Sequence, residues 1–258
     1  MRTIISGAAN GIGRATALRL AKDDGARLLI TDRDEVALAK VAAALQGSAE
    51  VEALAGDLAD PELPSVLVER CVERFGGIDS IVSNAGAVTG APLLDLEVEK
   101  FDLLFDVNTR PTWLFGKSAF HHLKASRGSI VATASVSAEY PTPPLGSYAA
   151  SKAALLMLIR QMALEWGPDG IRANCVSPGP TITGITAASY ADPANQQQRS
   201  SAIPLRKVAA AEDMASAIRF LLGPDAGYVS GHNLVVDGGL GTALLALSGA
   251  GSGLSPSR

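Results

Sequence analysis

Tyr148 and Lys152, with Ser135 thirteen residues before the tyrosine, are residue types that acid–base chemistry requires. Tyr148 and Lys152 are four positions apart, so on a helix their Cβ atoms lie about 5 to 6 Å from each other. An ammonium group this close stabilises a phenolate, and we expect it to lower the pKa of Tyr148 from about 10. Such a tyrosine could exchange a proton as an alcohol and a ketone interconvert. The same spacing also occurs on solvated helix faces, so the pair alone leaves both interpretations open.

A glycine-rich turn follows directly after the first β-prone run of the chain. Residues 3–6 lead into Gly7-Ala8-Ala9-Asn10-Gly11-Ile12-Gly13, and a stretch of helix-forming composition comes next. Glycines let the backbone approach a pyrophosphate, and the start of the following helix attracts the anion. The spacing is GxxxGxG rather than GxGxxG, and the chain contains no GxxxxGK[ST]. These features favour a dinucleotide over ATP, with a turn that binds no ligand as the alternative.

Asp32 ends the second apolar run, about 20 residues after the glycines. A carboxylate at this distance accepts hydrogen bonds from the adenosine ribose in dinucleotide folds, and it repels a 2′-phosphate. The neighbouring Arg33 could instead hold that phosphate. Asn10 is neutral and adds no cation. The sequence therefore favours NAD over NADP, while Asp32 as a helix cap or turn residue remains compatible with ribose binding.

Further motifs follow in the order typical of the short-chain dehydrogenase/reductase family, which the chain resembles from Thr3 to about Gly239. The additional motifs are Gly56-Asp57-Leu58, Ser83-Asn84-Ala85-Gly86, Asp106-Val107-Asn108, Pro178-Gly179-Pro180-Thr181-Ile182-Thr183 and Val236-Asp237-Gly238-Gly239. Two positions differ from the family pattern. Ser83 replaces the first Asn of the NNAG motif, and Ser6 stands where Thr is common, with the hydroxyl kept.

The resemblance implies a catalytic set of Asn108, Ser135, Tyr148 and Lys152. Ser135 would hold the substrate oxygen and Tyr148 would transfer the proton. Lys152 would lower the pKa of the tyrosine and bind the nicotinamide ribose, and Asn108 would anchor a water that links Lys152 to solvent. The implied cofactor-binding positions are Ser6, Gly7, Asn10, Gly11, Ile12, Gly13, Asp32, Arg33, Asp57, Leu58, Asn84, Ala85, Gly86, Tyr148, Lys152, Pro178, Gly179, Thr181 and Thr183. Taken singly, Ser135 could only end a strand, and Asn108 could only cap a helix.

The composition is typical of a cytoplasmic enzyme with one large core, because 47% of the 258 residues are hydrophobic and 19% are charged. A formal net charge of -4 without a Lys or Arg run argues against nucleic-acid binding. We expect no membrane span, since apolar stretches stay short, and no signal peptide, since Met1 leads directly into a strand. We predict no metal site, and we expect Cys71 and Cys175 to be buried thiols.

Apolar strand-like runs alternate with helix-like stretches along residues 1–240. This pattern predicts a single Rossmann-like, doubly wound α/β domain, with a parallel sheet of about seven strands and helices on both faces. The predicted strands are residues 3–6, 27–31, 51–55, 80–83, 129–133, 172–176 and 233–236. The predicted helices are residues 14–22, 34–45, 60–75, 98–122, 147–166 and 211–222. Pro111 predicts a kink close to Asn108.

The family places a lid over the substrate where residues 184–204 lie, and the run of glutamines at 196–198 predicts a mobile loop there. Three prolines stiffen the segment between the catalytic Ser and Tyr. An apolar pocket is predicted from Tyr140, Pro143, Leu145 and Ile185.

Such a pocket suits a hydrophobic or cyclic secondary alcohol or its ketone, for example a steroid or terpenoid. Residues 5–7 and 223–229 also loosely resemble bacterial hydroxysteroid dehydrogenases. A polyol, a dihydrodiol or a 3-oxoacyl substrate remains open.

The resemblance also implies a homo-oligomer, a tetramer or a dimer, built partly from residues 108–122 and 147–166. Alanines at 149, 150, 153 and 154 would permit close packing between helices, although they could equally pack on the sheet. The C-terminal extension, residues 241–258, has a Gly/Ser-rich end that predicts mobility.

Two alternatives come from other functional classes. A non-catalytic NAD-binding regulatory protein would have a damaged catalytic set, whereas all four residues are present here. A serine hydrolase disagrees with the sequence, because Ser135 is not in a GxSxG context and no histidine has an evident partner.

Overall fold

Seven parallel strands form one sheet in the computed structural model, which describes residues 1–23, 25–184, 186 and 190–243. The strand order is β3-β2-β1-β4-β5-β6-β7. The strands are β1 Arg2–Ser6, β2 Arg27–Thr31, β3 Glu50–Ala53, β4 Ser80–Ser83, β5 Ser129–Thr133, β6 Arg172–Pro178 and β7 Asn233–Val236. The helices are α1 Gly11–Leu20, α2 Glu35–Leu45, α3 Leu63–Phe75, α4 Val98–Asn108, α5 Arg110–Ser126, α6 Tyr148–Trp166, α7 Pro193–Ala202 and α8 Ala211–Leu222.

Each face of the sheet has its own hydrophobic core. One core joins the sheet to α3, α5 and α6 and includes the fully buried Phe115 and Leu155. The other joins the sheet to α1, α2 and α8 and includes Leu20 and Ile218. Because helices cover both faces, the central strands are apolar on both sides instead of alternating between apolar and polar residues.

The strand order reverses between β1 and β4. The chain first builds outward from β1 to β3 and then crosses to the opposite side of β1 to continue with β4. Open α/β sheets bind their ligands at the carboxyl ends of strands beside such a reversal. Here the strand ends are Ser6, Ser83 and Thr133. The fold therefore brings together the segments that follow β1, β4 and β5.

The predicted single α/β domain with a seven-stranded parallel sheet is confirmed. Strands β2, β4, β5 and β7 have the predicted bounds, whereas β3 lies at Glu50–Ala53 and β6 extends to Pro178. Helix α1 begins at Gly11, before the predicted start, because the end of the glycine turn already forms its first helical turn.

Two helical regions differ from the prediction. Residues 98–122 belong to two helices that meet at Thr109, whose ψ is -58° at a φ of -122°. This break lies where the kink was predicted from Pro111, which lacks the amide proton of a continuous helix. Residues 193–202, predicted to be part of a mobile loop, form α7. Asp192 caps this helix by accepting a hydrogen bond from the Ala194 amide at 2.9 Å, and Pro193 suits the first helical position.

Some predicted features lie outside the described residues. These are Ile185 of the apolar pocket and residues 244–258 of the C-terminal extension. Within the described chain, no helix is long and apolar enough to cross a membrane. Cys71 and Cys175 are buried and unpaired, as predicted, and burial raises the pKa of each thiol to about 12.

Candidate active site

The predicted catalytic residues meet at the carboxyl end of β5. Ser135 follows the strand by two residues, Tyr148 is the first residue of α6, and Lys152 lies one helical turn later. The Nζ atom of Lys152 is 6.0 Å from the centre of the Tyr148 ring. A phenol at a helix N-terminus lies where the helix dipole favours negative charge. The fold thus brings the serine that follows β5 to the tyrosine and lysine of α6.

The Ser135 hydroxyl is held in place by its own backbone turn. Its Oγ atom accepts a hydrogen bond from the Ser137 amide at 3.1 Å, and the residue is only 9% exposed. This bond occupies one of the two acceptor sites of the hydroxyl and leaves its proton available to donate to another group. The hydroxyl also faces Tyr148, since a side-chain hydrogen bond from Ser135 acts to lower the pKa of the phenol. Ser135 therefore does not end the strand, as it could have done when taken singly: β5 ends at Thr133, and Ser135 caps the turn that follows and lies in the site.

The pKa of Tyr148 is raised above 10, which is opposite to the prediction that Lys152 lowers it. Burial is the larger cause, because a phenolate loses its hydration inside the protein. The hydrogen bond with Ser135 opposes the rise without reversing it. The direction predicted from the spacing of four residues was wrong, because that spacing does not show how much hydration the phenol loses in the folded protein.

Lys152 is 3% exposed and donates a hydrogen bond to the Thr133 carbonyl at 2.8 Å. This carbonyl is available because β4 stops pairing with β5 at Ala132, one residue before β5 ends. Burial lowers the pKa of Lys152 from 10.5 to about 8. The ammonium is therefore close to its own titration range at neutral pH.

Asn108, the last residue of α4, is 2% exposed, and its side chain is occupied by protein partners. Oδ1 accepts from the Ala87 amide at 2.8 Å, and Nδ2 donates to the Ala87 carbonyl at 3.1 Å and to the Ser151 hydroxyl at 3.0 Å. The Ser151 hydroxyl in turn donates to the Tyr148 carbonyl at 2.8 Å. The side chain thus joins the segment after β4 to the first turn of α6. Asn108 therefore does not cap the following helix, as it could have done when taken singly.

Gly86 lies between Asn108 and Lys152. A Cβ atom added there would be 3.1 Å from Asn108 Oδ1 and 3.4 Å from Lys152 Nζ. The predicted cofactor residue is therefore in contact distance of the predicted catalytic set, and a larger residue would crowd both polar groups.

The glycine turn can accept only glycine at its key positions. Gly7 and Gly11 have φ angles of 64° and 52°, which other residues rarely adopt. A Cβ at Gly13 would lie 2.0 Å from the Gly7 carbonyl oxygen, far inside van der Waals contact. Because the backbone here is bare and precedes α1, the turn fits a phosphate group of a dinucleotide. Asn10 occupies the N-cap position of α1 without a capping hydrogen bond from its side chain, and Ile12 lies in the first turn of the helix.

Ser6 and Asn84 connect the glycine turn to the end of β4. The Ser6 hydroxyl accepts hydrogen bonds from the Asn84 and Ala85 amides at 3.0 and 3.1 Å. The Asn84 side-chain amide donates to the Ser6 and Gly7 carbonyls, each at 3.2 Å. These hydrogen bonds hold the glycine turn against the end of β4. They need a hydroxyl at position 6, which the serine provides where threonine is common in the family.

The Asp32 carboxylate also supports the glycine turn. One oxygen accepts from the Ala9 amide at 3.0 Å and the other from the Asp34 amide at 3.1 Å. Asp34, rather than Asp32, caps α2 by accepting from the Ala37 amide at 2.9 Å. Arg33 is exposed beside it. The carboxylate is thus held at the end of β2, where a ribose could reach it.

The remaining predicted cofactor positions lie around the same strand ends. Asp57 is exposed and accepts from the Ala59 amide at 2.9 Å, and the next residue, Leu58, is buried. After β6, a Cβ at Gly179 would lie 2.7 Å from Asp237 Cα, so this position also requires glycine. The remaining residues of this segment are Pro178 at the end of β6, Thr181, whose hydroxyl donates to the Gly179 carbonyl at 2.8 Å, and Thr183. Thr183 Cβ lies 3.0 Å from the position a Cβ would take at Gly11.

Sequence reasoning missed three side chains that hold the site together: Thr133, Ser151 and Arg110. Arg110 donates to the Ala59 carbonyl and to Asp106, each at 2.5 Å, and so joins the α4–α5 break to the segment that contains Asp57. Ser151 lies within the Tyr148–Lys152 motif and Thr133 two residues before Ser135, but no local pattern distinguishes either from an ordinary buried hydroxyl. In the described residues, no cluster of three His, Cys, Asp or Glu side chains could hold a metal ion.

Known proteins of similar sequence and structure match almost the whole chain. The family described as "Enoyl-(Acyl carrier protein) reductase" matches residues 7–241. Glucose 1-dehydrogenase of Gluconobacter oxydans is 33% identical over 243 residues, which cover 93% of this chain and 91% of that protein. Short-chain dehydrogenase reductase 5 of Arabidopsis thaliana is 39% identical over 241 residues, with 92% of each chain covered. The crystal structure of levodione reductase has a TM-score of 0.87 at 30% identity, covering 93% of this chain and 97% of that one.

Proposed function

Because the chain belongs to the short-chain dehydrogenase/reductase family, we propose that it is an NAD-preferring oxidoreductase that interconverts a secondary alcohol and its ketone. NAD(P)-dependent chemistry on alcohols and ketones is supported by its relatives. The observation that carries the proposal is the convergence of Ser135, Tyr148 and Lys152 beside a turn in which Gly13 cannot be replaced.

The chain's own residues would handle the proton while the bound nicotinamide supplies or accepts the hydride. Ser135 would donate a hydrogen bond to the substrate oxygen with the hydroxyl proton that it otherwise directs at Tyr148, while its Oγ keeps accepting from the Ser137 amide. Tyr148 would give its proton to the forming alkoxide, or take one from the alcohol in the reverse direction. Lys152 would stabilise the phenolate that results. The raised pKa of Tyr148 keeps the phenol protonated, as a proton donor to the alkoxide must be.

Asn108 would contribute by positioning rather than by contact with substrate. Its side chain fixes Ala87 and, through Ser151, the first turn of α6 that carries Tyr148. The water that the family resemblance assigns to Asn108 would then bind its backbone carbonyl, since both side-chain polar atoms already have partners.

The residues around the strand ends fit a dinucleotide in chemical type. The glycine turn and the start of α1 suit the pyrophosphate, and the exposed Asp57 suits the adenine amino group. Lys152 would bind the nicotinamide ribose. Pro178, Gly179, Thr181 and Thr183 would surround the nicotinamide end.

NAD is proposed over NADP because the Asp32 carboxylate is held by two backbone amides. A carboxylate fixed in this way cannot easily turn away from a 2′-phosphate, and the repulsion at 4 Å is about 1 to 4 kcal/mol. Arg33 is the opposing feature, since its exposed guanidinium could reach a phosphate.

A hydrophobic or cyclic substrate is proposed from the wall between Ser135 and Tyr148. Tyr140 is 48% exposed, and a Cβ at Gly241 would lie 3.1 Å from its ring, so the segment after β7 joins this wall. Leu145 pairs with Ala91 in an isolated parallel bridge, which adds the segment after β4. The predicted lid, residues 184–204, would include α7. A polyol is the second candidate, because one relative is named as a dehydrogenase of glucose.

The test is the absorbance of reduced nicotinamide while the purified protein meets a panel of secondary alcohols and ketones, with NAD and NADP in parallel. Tyr148→Phe is the control, since it removes the transferable proton and keeps the ring. We expect the variant to lose about 10²- to 10⁴-fold in kcat and to bind NAD as before in calorimetry. Equal turnover by the variant would contradict the role of Tyr148. NAD binding without turnover across the panel would favour the regulatory protein.

A further inference from the structure

Thr133 uses both of its oxygen atoms to connect the glycine turn with Lys152. Its hydroxyl donates to Asn84 Oδ1 at 3.0 Å, and its carbonyl accepts from Lys152 Nζ at 2.8 Å. The opposite end of the Asn84 amide donates to the Ser6 and Gly7 carbonyls. A continuous set of hydrogen bonds therefore runs from the glycine turn to the lysine.

The position of Thr133 in the sheet explains why its side chain matters. Strand β4 pairs with β5 only as far as Ala132, so β4 offers Thr133 no ladder partner on that side. The pairing of β5 with β6 continues one residue further, because Thr133 pairs with Val176. On the β4 side, the hydroxyl bond to Asn84 takes the place of the missing ladder bond. Without this hydroxyl bond, only β6 would hold the end of β5 that carries the carbonyl bound to Lys152.

We propose that Thr133 is a positioning residue: its hydroxyl fixes the end of β5 on Asn84 and thereby holds the carbonyl that receives the Lys152 ammonium. This inference rests on the proposed function for the role of Lys152 in turnover, but the placement of Lys152 can be measured without turnover. Thr133 is 7% exposed and Lys152 is 3% exposed, so solvent cannot readily replace the lost contact.

The test compares Thr133→Val, which keeps the shape and removes the hydroxyl, with Thr133→Ser, which keeps the hydroxyl. The first readout is the titration of Lys152, followed by NMR of lysine labelled at the ε-carbon and assigned with Lys152→Met. A hydrogen bond to an ammonium favours the charged form, so a loosened carbonyl lowers the pKa further. Among the residues that the structure describes, Tyr148 and Cys175 are the titratable groups that face Lys152, and both are unchanged in these variants.

We expect Lys152 to titrate below about 8 in Thr133→Val and near the wild-type value in Thr133→Ser. With an active substrate, kcat should fall about tenfold in Thr133→Val only. Thr3→Val is the matched control, because it removes another buried hydroxyl bond, 2.7 Å to Ser80, at the opposite end of the sheet. It should lower stability but leave the lysine titration and kcat unchanged.

An unchanged Lys152 titration in Thr133→Val would overturn the proposal, even if stability fell. If the valine variant does not fold, Thr133→Ser and Thr133→Ala give the same comparison, since they differ by one oxygen. Because the titration requires no substrate, failure of the positioning role is distinguishable from failure of the proposed oxidoreductase activity.

Discussion

Lys152 carries its charge at a position where burial opposes it. Lys152 is only 3% exposed, and this burial lowers the pKa of its ammonium group from 10.5 to about 8. If Lys152 has the proposed catalytic role, this charge is a stability cost that the activity requires. The stability cost of the buried charge can be measured without an activity assay, from the unfolding free energy at different pH values.

The first prediction concerns this pH dependence. Between about 8 and about 10.5 the unfolded chain holds the Lys152 proton and the folded chain does not, so unfolding free energy rises with pH. Relative to Lys152→Met, the wild type should gain about 3 kcal/mol across this window. Urea unfolding of both chains at pH 7.5 and at the upper end of the window measures the difference. If the unfolding free energies of the two chains differed by the same amount at both pH values, the pKa of Lys152 would not be lowered by folding, which would contradict the prediction.

Asp32 gives a second prediction at the residue scale. Asp32→Ala should weaken NAD binding and reduce the preference over NADP, because it removes the carboxylate that would bind the ribose and repel the phosphate. Asp34→Ala is the control: it removes the cap of α2, which costs about 0.5 to 2 kcal/mol of stability, but leaves Asp32 in place. Calorimetry with both dinucleotides measures the preference. If Asp32→Ala kept the same preference for NAD over NADP, Arg33 rather than Asp32 would determine that preference.

At the scale of elements, the turn between β1 and α1 is a tightly constrained connection in the site. Its glycines are needed for two different reasons. Gly7 and Gly11 adopt positive φ angles, whereas Gly13 is helical and is required because the Gly7 carbonyl lies against it. The turn is also supported by Asp32 from β2 and by Asn84 after β4.

Gly13→Ala should therefore abolish measurable NAD binding and destabilise the fold, because backbone must move to admit the methyl group. Gly167→Ala is the matched control, since a Cβ there meets nothing within 4 Å and the residue has a φ of -56°. It should be neutral or slightly stabilising. Thermal unfolding and calorimetry with NAD give the two readouts, and equal behaviour of the two variants would contradict the close approach.

At the scale of the whole molecule, α5 and α6 expose large apolar side chains although both helices belong to a packed core. Trp113 is 43% exposed, Met157 is 59% exposed and Leu164 is 75% exposed. We propose that these helices form the interface of the homo-oligomer that the family resemblance implied. The small residues of α6 would then serve contacts between subunits as well as contacts with the sheet.

Leu164→Lys should shift the protein toward smaller species, because a charge placed in an interface is costly to desolvate. Val36→Lys, at a residue of α2 with 68% exposure, is the control and should leave the mass unchanged. Sedimentation at micromolar concentration measures both. A wild-type monomer under these conditions would remove the oligomer, and an unaffected Leu164→Lys would move the interface elsewhere.

The sequence by itself determined the α/β class, the bounds of most strands and the order of the site motifs. These features depend on short-range patterns: apolar runs mark strands covered on both faces, and glycines mark a turn where side chains do not fit. The break at Thr109 was likewise predicted from a single proline, because the missing amide proton of Pro111 acts within one helical turn.

Only the tertiary structure decided how the site residues are tuned. The pKa of Tyr148 rises because burial in the folded protein outweighs the hydrogen bond with Ser135, which acts to lower it. Asn108 is bound to Ala87 and Ser151, and Lys152 is bound to the Thr133 carbonyl because β4 ends earlier than β5. Desolvation and strand register depend on how all the layers pack, so a local pattern names the residues of this site but not their partners or their charge states.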